Sequence, residues 1–534
     1  MKKNRAIKKI TLSALVSLVV FSGCAPLGPN FSGVDEIQVP KAWANSGKRN
    51  DQQMAQWWKI FDDPILNALV EKTYAQNLDL QAAGLRIVQS RAALGITTGL
   101  QYPQVQTLSG NIAGVRKNNN AFRAAGVNFD IGWEMDVWGK YARGIESSEA
   151  TLYATLASYN DIMISVIAEV ARNYINYRSG EERIAYARRN IVIQERVTKI
   201  TEIQFNSGNV SELDMQQSRS QLYATRSALP SLELTMIKAR NSMAVLMGTD
   251  TTSVEKMLKK GKHYKDNVGK YISTNKSFIQ IKEGDRDNIN ISLVPTAKFN
   301  PHNKIDANLL SQRPDLKVAQ YQAQANSAKI GSTVAELYPS FTLFGNIGLN
   351  ANNALGSWTT GGNALGVSIG PAFSWNIFQY DRIKDKIRLQ DAIFEESLVN
   401  YNKKVLSALS EVSDALNGYK LTKIQLDENK KAVNATVRAF NISMTQYNDG
   451  LVSYQRLLST VDSLTRNQDR YAQIKGALAT NVILLYKALG GGWQMSKGKA
   501  YVSQEMAGKM QRRTDWGKYL DANMTKLPTG FSDE

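Results

Sequence analysis

Apolar positions in this chain follow two periods, and each period occurs twice in the same order. In 127–138, Val127, Phe129, Ile131, Trp133, Met135 and Val137 alternate with Asn128, Asp130, Gly132, Glu134 and Asp136. A period of two with one apolar face is a half-buried strand. Residues 365–377 repeat it, with Leu365, Val367, Ile369, Phe373, Trp375 and Ile377 on one face. Weaker alternation in 104–116 and 341–351 supplies each with a partner, so two hairpins are expected, about 104–138 and 341–378. Elsewhere the period becomes three or four, as in Leu152, Leu156, Tyr159, Met163, Val166, Val170, Tyr174 and Tyr177, or Leu457, Val461, Leu464, Tyr471, Ile474, Leu478, Val482, Leu485 and Leu489. That is coiled-coil spacing and predicts left-handed packing of long helices. No proline occurs between Gly139 and Pro230. The pattern therefore predicts a helix from 139 to about 206, ~100 Å long at 1.5 Å per residue.

The two sets are copies. Tyr102-Pro103 recurs as Tyr338-Pro339, 236 positions later, and Phe205-Asn206-Ser207-Gly208 recurs as Tyr447-Asn448-Asp449-Gly450, 242 later. Leu246-Met247-Gly248 recurs as Ala488-Leu489-Gly490, also 242 later. The expected organisation is repeat 1 at 57–248, a basic insert at 249–309 (with Lys256, Lys259, Lys260, Lys262, Lys265 and Lys270), repeat 2 at 310–490, and a C-terminal segment at 491–534. Gly180 and Gly418 fall at related places in the copies and mark kinks or seams; Gly208 and Gly450 mark reversals between antiparallel helices.

Each copy sends a helix toward a membrane, crosses it twice as a hairpin and sends a long helix back. Four strands cannot close a barrel, since bacterial outer-membrane barrels have at least eight. Open sheet edges are not tolerated in lipid. Two, three or four chains must therefore combine. Alternation assigns Asn128, Asp130, Glu134 and Asp136 to the barrel lumen.

The N-terminus supplies an address. Residues 1–9 carry five positive charges, and Ile10 to Phe21 form an apolar run shorter than the about 20 residues a spanning helix needs. Basic head, apolar middle and small residues are the layout of a secretory signal at 1–23. Phe21-Ser22-Gly23-Cys24 resembles a bacterial lipobox, which makes the single cysteine, Cys24, a lipid attachment site at the start of a segment 24–56. Of the net charge of +18, +13 remains once the five charges of the signal are removed, but no nucleic-acid-binding motif accompanies it. One cysteine and two histidines exclude an intrachain disulfide and leave too few ligands for a Cys/His zinc site. No nucleophile–base pair, metal cluster or phosphate loop is found, so neither an enzyme nor a cofactor is expected.

Trp57-Trp58-Lys59-Ile60-Phe61-Asp62-Asp63-Pro64, Glu134-Met135-Asp136-Val137-Trp138-Gly139-Lys140, Leu310-Ser311-Gln312-Arg313-Pro314-Asp315-Leu316 and Ala335-Glu336-Leu337-Tyr338-Pro339-Ser340 together resemble the TolC-like outer-membrane efflux family, in its NodT-type lipoprotein subgroup. The resemblance implies an α+β membrane fold: a homotrimer with a twelve-stranded outer-membrane β-barrel, four strands per chain, continued by a long α-helical coiled-coil periplasmic tunnel. It implies anchoring in outer-membrane lipid, docking to a periplasmic adaptor (membrane fusion) protein, and supply by an inner-membrane RND-type transporter driven by protons. The positions matching the family's adaptor-docking tips are Ser207-Gly208-Asn209 and Asp449-Gly450-Leu451, with the glycines kept and the family's valines absent. Acidic gate residues follow the second tip in the family; here Tyr454, Arg456, Ser459 and Asp462 occupy that stretch, and Asp214 is six residues after Gly208. The competing readings are a duct for type I protein secretion and a non-conducting structural lipoprotein.

Overall fold

The computed structural model describes residues 26–34, 54–117, 120–261, 272–274, 279–281, 293–298, 310, 312–354, 357–359, 361–496 and 498–521. Repeat 1 contains α1 (Pro64–Gln76), α2 (Leu78–Gly99), β1 (Val105–Lys117), β2 (Asn120–Met135), α3 (Lys140–Asn206) and α4 (Glu212–Leu246). The insert adds α5 (Thr251–Leu258), β3 (Ile272–Thr274) and β4 (Ile279–Ile281). Repeat 2 contains α6 (Pro314–Val334), β5 (Ser340–Asn352), β6 (Leu365–Ser374), α7 (Arg382–Asn448) and α8 (Tyr454–Ala488), and α9 (Gln504–Gln511) follows. The helix pairs that lead to the tips match to the residue. α3 and α7 each have 67 residues, α4 and α8 each have 35, and both second-copy helices begin 242 positions after the first (140 to 382, 212 to 454).

Local chemistry sets the joints. Pro64 occupies the first turn of α1, and the Asp63 carboxylate accepts from the amides of Ile65 (2.8 Å) and Leu66 (3.1 Å). Asn77 ends α1 and caps α2 by accepting from Leu80 N at 2.8 Å, while its Nδ2 donates to the Leu246 carbonyl at the end of α4. Trp57 stacks on Tyr486 of α8 with ring centroids 5.6 Å apart. Arg313 lies buried ahead of α6; it pairs with Asp315 and Glu411 and donates to the Ala488 carbonyl that ends α8. Burial disfavours its charge, but the two carboxylates outweigh that and hold its pKa up. These contacts knot the middle of the molecule, and the larger hydrophobic core surrounds them.

Away from the knot the fold is a single layer, four elements wide. In the half nearer the strands the helices lie in the order α2–α3–α6–α7, and in the other half α4–α3–α8–α7. The strands pair antiparallel in the order β1–β2–β5–β6. α3 and α7 are not broken at Gly180 or Gly418. These glycines are close-approach points: a Cβ would lie 2.6 Å from Met236 at Gly180 and 3.2 Å from Asn481 at Gly418. They are seams, not kinks.

Residues 26–34 cross the junction between strands and helices. Leu27 N donates to the Trp138 carbonyl at 3.1 Å. The buried guanidinium of Arg143 gathers the carbonyls of Pro26, Leu27 and Gly28 and the side-chain oxygen of Asn30, with Glu146 as counter-ion. Gly139 has φ +74°, and a Cβ there would lie 2.6 Å from Pro26, so both the turn and the strap require glycine. The equivalent residue in repeat 2 is Asp381, also left-handed at φ 58°. Arg143→Ala is expected to cost about 1.5–3 kcal/mol locally. The strap would then become protease-sensitive and the Leu27 amide would lose its slow hydrogen exchange; unchanged protection would refute the clamp.

Candidate functional site

The alternation becomes two faces when the four strands are read in register. Leu108, Phe129, Ile347 and Val367 form one row; Thr107, Asp130, Asn346 and Ser368 form the next. Rows alternate in this way because a register slip of one residue would exchange the faces. The apolar face is bare: Leu108, Ile369 and Phe373 are each more than 70% exposed. Among the described residues no helix packs over it, as a soluble sheet of this kind would require.

The polar face is tied together. Asn346 Nδ2 donates to Asp130 Oδ1 at 2.6 Å, and the Asn128 and Asn350 amides donate to one another at 3.4 and 3.0 Å. Glu134 lies at the strand end, where it accepts from Lys140 Nζ (3.1 Å) and the Tyr141 hydroxyl (2.9 Å). Asp136 departs from the expected lumen row. β2 ends at Met135, and the Asp136 carboxylate caps α3 by accepting from Tyr141 N (3.1 Å) and Ala142 N (2.7 Å). Four unbonded amides at a helix start attract a carboxylate more strongly than an open lumen does. Val137, Trp375 and Ile377 likewise fall beyond the strands. The junction carries an aromatic girdle, with the indoles of Trp133, Trp138 and Trp375 donating to the carbonyls of Gln101, Pro339 and Leu337.

At the far end of the helices the two tips are built alike. Gly208 (φ +75°) and Gly450 (φ +74°) reverse the chain. Asn209 N donates to the Gln204 carbonyl, and Leu451 N to the Gln446 carbonyl, each at 2.8 Å. This is the left-handed helix termination that glycine favours. Ser207 and Asp449 cap the ends of α3 and α7. The first tip then starts α4 with a capping box, Ser211 and Asp214 each bonding the other's backbone amide. The repeat-equivalent of Asp214 is Arg456, which has no acceptor to offer, and no side-chain cap forms on α8.

The residues expected at the gate therefore divide. Asp214 is engaged in the capping box. Arg456 and Ser459 are exposed, with the Ser459 hydroxyl donating to the Arg456 carbonyl. Asp462 pairs with Arg466 one turn on. Tyr454 is only 3% exposed and packs edge-on against Tyr447 in the tip-side core. Burial pushes its hydroxyl up to about 12, with the Asp214 charge adding to the shift and a hydrogen bond from Ser218 opposing it. It presents no surface to a lumen in this conformation, because its ring packs against Tyr447 at the end of α7 and its hydroxyl meets Ser218 of α4. Cys24, Lys262, Lys265 and Lys270 lie outside the described residues.

Sequence reading missed the fastening of the insert. Glu182 of α3 is fully buried, pairs with Lys475 of α8 at 2.6 Å and accepts from Leu293 N and Val294 N at 3.1 Å each. Asn441 of α7 holds Ile281 through both backbone groups at 2.8 Å. The only signal in the sequence is a glutamate or asparagine on an otherwise core-facing stripe.

Both edges of the layer are open. β1 and β6 are edge strands, and the outer helices of the tip half expose apolar side chains, Leu213, Tyr223 and Leu234 on α4 and Leu421, Ile424 and Ile442 on α7. Matching open edges at both sides are what further copies of the chain would close into a ring.

Comparison with known proteins gives this geometry a family. The model of the outer membrane efflux protein family matches residues 69–249 and 307–491. The chain is 25% identical over 493 residues to the probable outer membrane lipoprotein SilC of Salmonella typhimurium, covering 91% of this chain and 99% of that one. It is 25% identical over 486 residues to nodulation protein T of Rhizobium leguminosarum bv. trifolii, covering 89% and 96%. The solved outer-membrane channel OprN superposes with a TM-score of 0.74 at 25% identity, over 88% of this chain and 100% of that one. With both repeats matched and the fold shared, the chain belongs to the outer membrane efflux protein family, whose members are non-enzymatic and form trimeric channels within tripartite efflux systems.

Proposed function

We propose that this protein is the passive exit duct for small toxic molecules, such as drugs, that a proton-driven inner-membrane transporter delivers through a periplasmic adaptor. The observation that carries the reading is the continuity of one open-edged layer, from four membrane-facing strands into two 67-residue helices. Ring closure turns that layer into a tube with a polar inner face. Names among the relatives, cation efflux system protein CusC and pyoverdine export outer membrane protein OpmQ, fit a duct whose cargo is chosen upstream. Cys24 is the lipid attachment site. It stands two residues before Pro26, which is seated on Gly139 at the strand–helix junction, the level at which an acyl anchor would enter the inner leaflet. The tips at Ser207-Gly208-Asn209 and Asp449-Gly450-Leu451 dock the adaptor, and the insert and the C-terminal segment form a belt around the tube.

The gate is a ring in which Asp214 and Arg456, at equivalent positions of the two copies, alternate in sign around the opening. Such alternation favours a closed ring by pairing unlike charges across subunit boundaries. Single-channel conductance of Asp214→Ala and Arg456→Ala proteins checks this: both should open more often, and unchanged conductance in both would dispose of the gate. The function as a whole is tested by deleting the gene and measuring susceptibility to antibiotics, detergents, dyes, bile salts and metal ions. Hypersensitivity reversed by the wild-type gene is expected. Normal susceptibility throughout, with a secreted protein lost, would instead favour type I secretion.

A further inference from the structure

The lipid-facing side of the sheet changes character at a defined height. On β2 the outward positions from the girdle upward are Met135, Trp133, Ile131, Phe129, Val127 and Ala125. All are apolar. The next outward residue is Arg123. On β1 the outward residues beside them are Gln106, Leu108, Gly110, Ile112 and Gly114, and then Arg116. From Trp133 of the girdle to Arg123 is ten residues along the strand, a rise of about 25 Å at 3.3 Å per residue and a 40° tilt. That equals the apolar band of an outer-membrane barrel, about 25 Å tall. The two arginines therefore stand immediately above the hydrocarbon, at the end of the barrel away from the helices.

Their arrangement is specific. Arg123 pairs in register with Gly114, and Arg116 with Ala121, so the arginines are diagonal neighbours on one face, about 7–8 Å apart at Cα. Gly114 between them has open space where a Cβ would stand. The backbone of Arg123 is fixed from the other side: its amide donates to Asn353 Oδ1 at 2.6 Å, and its carbonyl accepts from Asn353 N at 3.1 Å. Below the pair lie Ile112, 87% exposed, and Ala125. Among the described residues the second copy has no counterpart, since the outward residues at this height on β5 are Ala351 and Asn353.

We propose that Arg116 and Arg123, across the Gly114 notch, form a binding site for the phosphorylated headgroup of an outer-leaflet lipid. Guanidinium forks hold the phosphate oxygens, and the acyl chains lie on the apolar rows beneath. One site is present per chain. The inference rests on the membrane placement of the sheet and not on transport, so the susceptibility result leaves it untouched.

The test uses the full-length protein in detergent. It is incubated with bisphosphorylated lipid A or with zwitterionic phosphatidylethanolamine, and bound lipid is counted by native mass spectrometry. Wild-type protein is expected to retain lipid A, and Arg116→Gln with Arg123→Gln to weaken that binding about thirtyfold. Arg116→Lys with Arg123→Lys should retain most of it, and inorganic phosphate should not displace the lipid. The same spectrum reports whether each variant assembles. If the glutamine variant does not, the salt dependence of lipid A binding to wild-type protein takes its place, with weakening expected as salt rises. Binding equal to wild type in the glutamine variant, equal retention of phosphatidylethanolamine, displacement by inorganic phosphate, or indifference to salt would each overturn the site.

Discussion

Glu182→Ala should destabilise the tube wall by about 3–5 kcal/mol, the cost of leaving a buried charge without its partner. The substitution removes the acceptor from the Lys475 ammonium, which is 9% exposed, and from the Leu293 and Val294 amides. Burial already pushes the Lys475 pKa down, and Glu182 is the group that opposes this. Removing it favours a neutral lysine or entry of water between α3 and α8. The loss would appear as an earlier collapse of the helical circular dichroism on heating and as faster proteolysis of the insert. A second variant separates the two roles. Glu182→Leu with Lys475→Met removes both charges and should recover the ion-pair part, but the two amides remain without an acceptor and the insert stays protease-sensitive. A loss below about 1 kcal/mol for Glu182→Ala would mean that water already satisfies Lys475, contrary to the burial described.

Ile347→Arg and Asn346→Arg are neighbouring substitutions with opposite expected outcomes. Ile347 lies in the row with Leu108, Phe129 and Val367, near mid-height of the apolar band. An arginine there faces hydrocarbon and costs about 2–4 kcal/mol per chain, multiplied by each copy in the ring. Asn346 faces the other way, where its amide already bonds Asp130. An arginine at 346 gains a carboxylate partner and should assemble. The yield of heat-resistant oligomer in outer-membrane fractions distinguishes them. Equal yields would mean that the two faces had been assigned the wrong way round.

What the sequence made legible follows from the range over which each signal acts. The strand faces could be read because alternation is local and a period of two leaves one choice of face per register. The long helices could be read because proline is absent and the apolar stripe continues for many turns. The repeat fixed the tips, since the glycine reversals at Gly208 and Gly450 recur at one offset. Family likeness, motif by motif, supplied the assembly. The failures lie where a polar side chain had two possible partners. Asp136 continues the alternation in sequence, but the amides of the next helix are nearer than any lumen. Tyr454 sits where a gate residue would, and only its packing against Tyr447 of α7 shows that it points into the core. Glu182 and Asn441 hold segments more than a hundred residues away, and neither has a periodic signature to announce it.

The equal lengths of the two helix pairs that end at the tips have an engineering consequence. A heptad inserted into α3 and α4 alone would push one tip about 10 Å beyond the other. The end of the duct would become a crown of alternating high and low points instead of a level rim. Matched insertions 242 positions apart would lengthen the tube and keep the rim flat. Such a series would measure how far across the periplasm this channel has to reach.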